Sequence, residues 1–160
     1  MKHHRVLFVC TGNICRSPTA EGVARGLARK HGVEEMFEFD SAGTHDYHVG
    51  EPPDPRTIAA AAKRGYDLAP LRARRVTEFD FIRFDRVLAM DRGHLELLRR
   101  SCPRAHHGKL GLFLDFSNSL EADEVPDPYY GDARGFEQVL DLVEDAATQM
   151  ILKLAASRPE

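Results

Sequence analysis

A short segment near the start of the chain carries two residues that could act together on a phosphate group. Cys10 opens it and Arg16 follows six positions later, in the run Cys-Thr-Gly-Asn-Ile-Cys-Arg-Ser-Pro. A thiolate is a strong nucleophile, and a guanidinium can hold two oxygens of one phosphate. The residue types and their spacing therefore indicate phosphoryl transfer, with Cys10 as the nucleophile and Arg16 as the phosphate clamp.

The residues between these two are suited to a tight, anion-binding loop. Gly12 and Asn13 tolerate a positive φ, which a tight curl needs. Ser17 followed by proline predicts the start of a helix, with Ser17 as its N-cap and its hydroxyl close enough to bond the sulfur of Cys10. The backbone N–H groups and the positive helix end would then surround a phosphate and favour the thiolate. The phosphate-facing residues would be Thr11, Gly12, Asn13, Ile14 and Cys15.

The Cys-x5-Arg spacing alone is a weak signal, because the two residues coincide often by chance. The plain alternative is a buried Cys10 that ends a core strand and an Arg16 in a surface ion pair. The strand before the loop, the Gly-Asn pair within it and the Ser-Pro helix start after it favour a phosphate-binding site instead. No GxxxxGK[ST] motif occurs, so the loop is not of the ATP-binding type.

A second segment offers a proton donor. Asp127 stands between Pro126 and Pro128, which stiffen the chain and keep it out of a helix. Tyr129 and Tyr130 follow, and adjacent tyrosines on a loop are typical of a recognition wall. Spacing alone fits a second interpretation equally well, in which the segment is an acidic surface turn and its tyrosines pack on the rest of the domain.

The elements that must position these residues alternate along the chain. Apolar runs predict strands over 5–10, 36–42, 86–90 and 109–116. One helix is predicted to begin at Ser17-Pro18, and others to span about 56–64, 92–102 and 135–157. Asp54 and Asp91 are the predicted caps of the helices over 56–64 and 92–102, and Thr77 is the predicted cap of a short helical turn. This order predicts a single α/β domain with a parallel sheet and helices on both faces. Ligands of such sheets bind at the carboxyl ends of the strands, where the Cys10 loop lies.

Composition excludes several classes of protein. The chain has 160 residues, of which 42% are hydrophobic and 29% charged, with a formal net charge of −3. This balance fits a globular domain and argues against nucleic-acid binding. The first apolar run spans five residues and no run reaches about 18, so we expect no membrane span and a cytoplasmic protein. Three cysteines argue against a disulfide scaffold or a structural zinc site.

The motifs together resemble a known family. They are Cys10 to Glu21, Ser41-Ala-Gly-Thr44, Pro53-Asp54-x-Arg56 and Asp127-Pro-Tyr-Tyr-Gly131. In this order, over about residues 5 to 155, the chain resembles the low-molecular-weight protein tyrosine phosphatases. The resemblance implies a compact four-stranded parallel sheet and hydrolysis of protein phosphotyrosine through a phosphocysteine, without metal or cofactor.

The resemblance also implies roles for particular residues. Asp127 would be the general acid and then the base, and Ser17 would support the Cys10 thiolate. Asn13 and Ser41 would hold the loop's shape, while Tyr47, Tyr129 and Tyr130 would flank the substrate ring. Cys15 matches the cysteine that in the family can pair with an oxidised nucleophile. Leu71 departs from the family, whose members often have a histidine near this position in the supporting network.

The resemblance implies a phosphotyrosine-bearing protein as the partner, with a tyrosine kinase among the candidates. We expect binding to neither nucleic acid nor a membrane, and we expect the protein to be a monomer.

Three other functions remain open. A thiol-dependent arsenate reductase would need further relay cysteines, and only Cys102 lies outside the loop. A phosphoarginine phosphatase tends to have threonine in place of Ile14. A non-catalytic phosphate-binding module would need neither Cys10 nor Asp127. The pair His45 and His48 is interpreted as solvated rather than metal-binding.

Overall fold

The computed structural model describes residues 4–118, 122–129 and 131–157. Four parallel strands form one sheet in the order β2-β1-β3-β4. The strands are β1 (His4–Cys10), β2 (Phe37–Gly43), β3 (Arg86–Ala89) and β4 (Leu110–Leu112). The α-helices are α1 (Arg16–Lys30), α2 (Pro55–Ala62), α3 (Glu78–Arg83), α4 (Arg92–Ser101) and α5 (Ala133–Ala156). The predicted single α/β domain with a four-stranded parallel sheet is confirmed.

The strand β1 lies at the centre of the sheet and is buried on both faces. It pairs with β2 along its whole length and with β3 over Val6–Val9. Val6 and Phe8 belong to a core cluster shared with α1 and α5, whereas Leu7 and Val9 belong to a second cluster with α3 and α4. Because successive side chains of a strand point to opposite faces, a continuous apolar run is what a strand between two helical layers requires.

The carboxyl ends of the three longer strands meet at one edge of the sheet. Thr44, just after β2, donates its backbone N–H to Cys10 O at 2.8 Å. Met90, just after β3, donates to Val9 O at 3.1 Å. The segments that follow β1, β2 and β3 therefore share one rim, as expected for a ligand site in a parallel α/β sheet.

Capping residues begin several of the helices as the sequence predicts. The Asp54 carboxylate accepts from Arg56 N at the start of α2, and Asp91 accepts from His94 N at the start of α4. Thr77 and Asp80 form a reciprocal capping box on α3. In the described part of the chain, no helix combines the length and the apolar character needed to cross a membrane.

The predicted start of α1 is wrong by two residues, and the predicted capping role of Ser17 is wrong as well. The helix begins at Arg16, its N-cap is Cys15, and the cap position makes no side-chain hydrogen bond. Ser17 lies inside the first turn, where its hydroxyl is 3.0 Å from Cys10 Sγ. The hydroxyl is therefore directed at the sulfur of Cys10, as the sequence predicts, instead of capping the helix.

The fourth strand is much shorter than predicted. Only Leu110–Leu112 pairs with β3, and Phe113–Phe116 forms a turn of 3-10 helix. Phe113 and Leu114 are buried although they lie outside the strand. A short apolar run is consistent with a strand or a buried helical turn, so its pattern could not fix where the strand ends.

Candidate active site

The loop between β1 and α1 places Cys10 and Arg16 on one buried floor. Their exposed fractions are 3% and 4%. Asn13 donates from Nδ2 to Ser17 Oγ at 2.8 Å, which leaves the Ser17 proton for Cys10 Sγ at 3.0 Å or for Ala42 O at 3.5 Å. A hydroxyl that can donate to sulfur stabilises the anionic, nucleophilic form of a thiol.

A buried hydrogen-bond network fixes the shape of the loop around Asn13. Its Nδ2 donates to Ser41 Oγ at 2.9 Å as well as to Ser17, and its Oδ1 accepts from the Arg74 backbone N–H at 3.0 Å. Ser41 Oγ in turn donates to Glu21 Oε1 at 2.7 Å. Burial raises the pKa of Glu21 against the lowering effect of this hydrogen bond. The network holds Asn13 at φ +58°, a conformation that asparagine tolerates better than most residues.

The family's histidine near Leu71 is not needed to satisfy this network. Leu71 is half-buried and packs against the core cluster that contains Phe8. The acceptor of Asn13 has the Arg74 amide as its donor, and Glu21 has both Ser41 and Arg25, the latter at 2.7 Å. The described network is therefore complete with an apolar residue at position 71.

The expectation that Gly12 is needed for a positive φ is wrong, because among the loop's described residues only Asn13 adopts one. A Cβ on Gly12 would lie 2.9 Å from Cδ2 of His48. The glycine therefore makes room for an imidazole on the wall of the site. Sequence reasoning treated His48 as a solvated loop histidine and had no signal for this contact.

The Arg16 guanidinium is held by Asp91, just after β3, and by the carbonyl of Val125, farther along the chain. Its Nη1 donates to Asp91 Oδ2 at 2.9 Å and to Val125 O at 3.0 Å. Partial burial opposes the ionisation of Asp91, but the hydrogen bonds from His94 N and Arg16 outweigh it and lower the pKa of Asp91. Asp91, predicted only as a helix cap, thus also orients the Arg16 guanidinium.

A buried histidine that the sequence did not single out completes this side of the site. His94 Nε2 lies 2.7 Å from Thr11 Oγ1 and 3.4 Å from Arg16 Nη2. Its Nδ1 is 3.1 Å from Asp91 Oδ1, but the direction is not that of a hydrogen bond. Burial and then the charge of Arg16 lower the pKa of His94 to about 4. The Asp-x-x-His spacing after a strand at the sheet's centre was the signal available in the sequence.

The buried His94 is expected to make folding stability depend on pH. Its folded pKa of about 4 lies below the ordinary value of 6.5. Between these values the unfolded chain binds the proton and the folded chain does not, so stability falls as the pH falls. From pH 7 to pH 5 this loss should be about 2 kcal/mol. Urea unfolding at both pH values should show that His94→Gln loses less stability than the wild type over this interval.

An exposed histidine provides the control for that measurement. His31→Gln should lose as much stability between pH 7 and pH 5 as the wild type, because His31 is exposed. A His94→Gln protein with the wild-type pH dependence would mean that His94 is not held neutral in the folded state.

Asp127 and two tyrosines surround the mouth of a cleft of about 260 Å³ above Cys10. Asp127 Oδ2 lies 3.6 Å from Arg16 Nη2, and the carboxylate is 45% exposed. Tyr47 is 68% exposed and its ring stacks on His45 at 5.0 Å. The lining residues are Cys10, Thr11, Gly12, Ile14, Cys15, Arg16, Tyr47, His48, Asp127 and Tyr129. Tyr130 falls outside the described residues.

The other two cysteines have different surroundings. Cys15 lines the cleft, and burial raises its pKa to about 12. Cys102 follows α4 in the core cluster with Leu95 and Leu98. All three cysteines are unpaired. Only Cys15 therefore shares the cleft with Cys10.

In the described ranges, the two histidines considered as metal ligands do not belong to a group of side chains that could bind a metal ion. His48 Nδ1 contacts Glu51 Oε2 at 2.7 Å, and His45 Nδ1 contacts Thr44 Oγ1 at 2.8 Å. Within residues 4–118, 122–129 and 131–157, no group of three or more His, Cys, Asp or Glu is placed to hold a metal ion.

Known proteins resemble the chain over nearly its whole length. The family model for low molecular weight phosphotyrosine protein phosphatase matches residues 5–160. The low molecular weight protein-tyrosine-phosphatase of Streptomyces coelicolor is 45% identical over 151 residues, covering 92% of each chain. The human low molecular weight phosphotyrosine protein phosphatase is 39% identical, covering 84% of this chain and 85% of its own.

A solved structure agrees with the sequence comparison. A protein tyrosine phosphatase from Entamoeba histolytica, with Hepes in its active site, has a TM-score of 0.92 and 41% identity, covering 95% of this chain and 97% of its own. The fold, the order of the motifs and these relatives agree. The chain is a phosphatase and belongs to the low molecular weight phosphotyrosine protein phosphatase family.

Proposed function

We propose that the protein hydrolyses protein phosphotyrosine through a phosphocysteine on Cys10, without a metal. The observation that carries this is the meeting of three groups in one cleft. The thiol lies on the floor, the Arg16 guanidinium lies beside it, and the Asp127 carboxylate stands at the mouth. These are the nucleophile, the charge clamp and the proton donor that displacement at phosphorus needs.

In the first step the Cys10 thiolate attacks phosphorus. The S–P bond forms as the P–O bond to the tyrosine ring breaks, and Asp127 gives its proton to the departing phenolate oxygen. Arg16 and the N–H groups at the start of α1 hold the non-reacting phosphate oxygens. Since these groups supply the positive charge, no metal is needed to stabilise the transferring group.

In the second step water releases the phosphate. Asp127, now a carboxylate, takes a proton from the water as its oxygen bonds to phosphorus, and the S–P bond breaks. The leaving sulfur is again a thiolate, and Ser17 Oγ at 3.0 Å can donate a hydrogen bond to it. The same hydrogen bond therefore favours the thiolate form of Cys10 before the attack and its departure as a leaving group afterwards.

The walls of the cleft favour an aryl phosphate. Tyr47 and Tyr129 flank the opening, and the half-buried Ile14 adds an apolar surface below them. An aromatic ring can stack between such walls while its phosphate reaches the floor. The short side chain of phosphoserine would leave phosphorus too far from Cys10. Tyr130 is proposed as a further wall residue on the family pattern alone.

The rival activities have less support. An arsenate reductase needs relay cysteines, but Cys102 lies in the core cluster behind α4 and not in the cleft. A phosphoarginine phosphatase is disfavoured by Ile14, which lines the cleft where that activity tends to have threonine. A purely binding role is set aside, because members of this family are enzymes.

Initial rates on a phosphotyrosine peptide test the proposal. Assays at mildly acidic pH with reducing agent and a metal chelator should show turnover of phosphotyrosine and far less of matched phosphoserine and phosphoarginine substrates. Turnover only with arsenate and a thiol donor, or only after metal is added, would overturn it.

We also propose that the enzyme acts in the cytoplasm as a monomer on a phosphotyrosine-bearing protein, of which a tyrosine kinase is one candidate. A reducing compartment suits the chemistry, because the thiols of Cys10 and Cys15 are unpaired in the structure. The negative net charge gives no support to nucleic-acid binding.

Oxidation of Cys10 is proposed to be reversible through Cys15. Peroxide converts the Cys10 thiolate to a sulfenic acid, and the Cys15 sulfur then displaces its oxygen as water to form a disulfide. The wild type should recover its activity when a thiol is added, whereas Cys15→Ser should stay largely inactive. Because burial raises the pKa of Cys15 to about 12, protection of the wild type should improve as the pH of the peroxide treatment rises.

Cys102→Ser is the matched control, since this cysteine lies outside the cleft, and it should recover as the wild type does. Full recovery of Cys15→Ser would show that Cys15 does not protect the nucleophile.

A further inference from the structure

An ion pair at the start of α2 connects the two loops of the site. Asp54 and Arg56 form a closed fork, in which Asp54 Oδ1 accepts from Arg56 Nε at 3.1 Å and Oδ2 accepts from Nη2 at 2.9 Å. Asp54 is 8% exposed. A two-pronged contact of this kind fixes the plane of the guanidinium as well as its position.

One side of this pair is attached to the phosphate loop. The Asp54 backbone N–H donates to Ile14 O at 2.8 Å. Asp54 also caps α2 by accepting from Arg56 N at 2.8 Å, so helix, ion pair and loop share one residue. The guanidinium of Arg56 is thus held in a fixed relation to the loop that carries Cys10.

The other side is attached to the segment that carries Asp127. Arg56 Nη2 donates to Tyr129 O at 3.0 Å, and its guanidinium carbon lies 5.5 Å from the centre of the Tyr129 ring. The same carbon lies 4.8 Å from the centre of the Phe136 ring, near the start of α5. Arg56 therefore joins the phosphate loop, the Asp127 segment and α5 through one side chain.

Asp127 lies between this attachment and a second one. Upstream, Val125 donates to Met90 O at 2.8 Å and its carbonyl accepts from Arg16. Downstream, the Tyr129 N–H donates to Asp127 Oδ1 at 3.0 Å, so the backbone that Arg56 holds also orients the carboxylate. Since the carboxylate itself is half-exposed, its direction depends on these backbone attachments.

We propose that Arg56 is a positioning residue for proton transfer, which holds the Asp127 segment so that the carboxyl group faces the leaving oxygen. This rests on the proposed function, in which Asp127 is the general acid. Arg56 touches neither the phosphate nor the nucleophile in this role. In the first step, the transfer of the phosphoryl group to Cys10, its effect is therefore limited to substrates whose leaving group needs a proton.

The leaving group provides the test. With Arg56→Ala, kcat/KM on a phosphotyrosine peptide should fall about 10- to 100-fold, the size expected from a small misplacement of a catalytic group. On a dinitrophenyl phosphate, whose phenolate leaves without a proton, kcat/KM should change little, because it reports the steps up to loss of the phenolate and not the later attack of water. Arg56→Lys keeps the charge but loses the fork, so it should show most of the same selective loss.

Arg64 is the matched control for a merely structural effect. It follows α2 and pairs with carboxylates of α5, among them Glu137 at 2.9 Å and Asp141 at 2.9 Å. Arg64→Ala should therefore loosen the contact of α2 with α5 while leaving the ratio of the two rates at the wild-type value. An Arg56→Ala protein whose kcat/KM falls equally on both substrates would overturn the proposal.

A double variant separates this inference from the proposed function. If Arg56 acts through the acid, Arg56→Ala in an Asp127→Ala background should cost almost nothing further. If Asp127→Ala shows no leaving-group preference, the acid assignment itself fails. If Asp127→Ala shows it and Arg56→Ala does not, only the positioning role fails.

Discussion

Replacing Cys10 by serine is expected to abolish turnover of a phosphotyrosine peptide, with a loss on the order of 10⁵-fold or more, as when the nucleophile of another covalent enzyme is removed. Serine has nearly the same shape, and Ser17 Oγ would remain near it. Its hydroxyl does not ionise near neutral pH, and the described side chain within hydrogen-bond distance of this position is the Ser17 hydroxyl, which is not a base, so serine is not expected to attack phosphorus. Initial rates under reducing conditions, with the chelator present, measure the loss.

Binding should survive this substitution, because Arg16 and the loop N–H groups are retained. Calorimetric titration of Cys10→Ser with the phosphotyrosine peptide should therefore still detect a complex. Cys102→Ser is the control, since its thiol is 6% exposed in the core cluster behind α4, and its activity should match the wild type. Substantial turnover by Cys10→Ser would remove the phosphocysteine from the mechanism.

Replacing Asp127 by alanine is expected to slow phosphotyrosine turnover about 10²- to 10⁴-fold, the usual contribution of a general acid. The phenolate of tyrosine is a poor leaving group without a proton. A dinitrophenyl phosphate has a better leaving group, so its kcat/KM, which reports the steps up to loss of the phenolate, should fall much less. The kcat/KM values of both substrates at one pH give the ratio that isolates proton donation to the leaving group from the later activation of water.

A neighbouring carboxylate provides the control for charge alone. Asp123 lies four residues before Asp127, is exposed and pairs with Arg92. Asp123→Ala removes one negative charge from the same stretch of chain and should leave both rates unchanged. Equal losses by Asp127→Ala on the two substrates would exclude it as the proton donor.

The sequence predicted the sheet and the phosphate loop well because both rest on local signals. The apolar run from Val6 to Val9 needs burial on both faces, and Asp54 caps α2 within two residues of itself. The spacing of Cys10 and Arg16 brings them together within one loop. These features depend on neighbours in the chain, so pattern and capping rules suffice for them.

The features that the sequence did not predict depend on distant contacts. His94 belongs to the site only because β3 lies beside β1, which brings it to Thr11 across 83 positions. Position 12 needs a glycine because the His48 ring, from the segment after β2, occupies the space that a side chain there would fill. In each case a residue's role is set by a neighbour that no local rule identifies.

The groups that hold the loop of Cys10 also have a consequence for how the enzyme is made. Asn13 is held by the amide of a residue 61 positions later, and Arg16 by groups 75 and 109 positions later. The loop is therefore synthesised before the groups that shape it. A nascent chain cannot complete this centre until Val125 has left the ribosome.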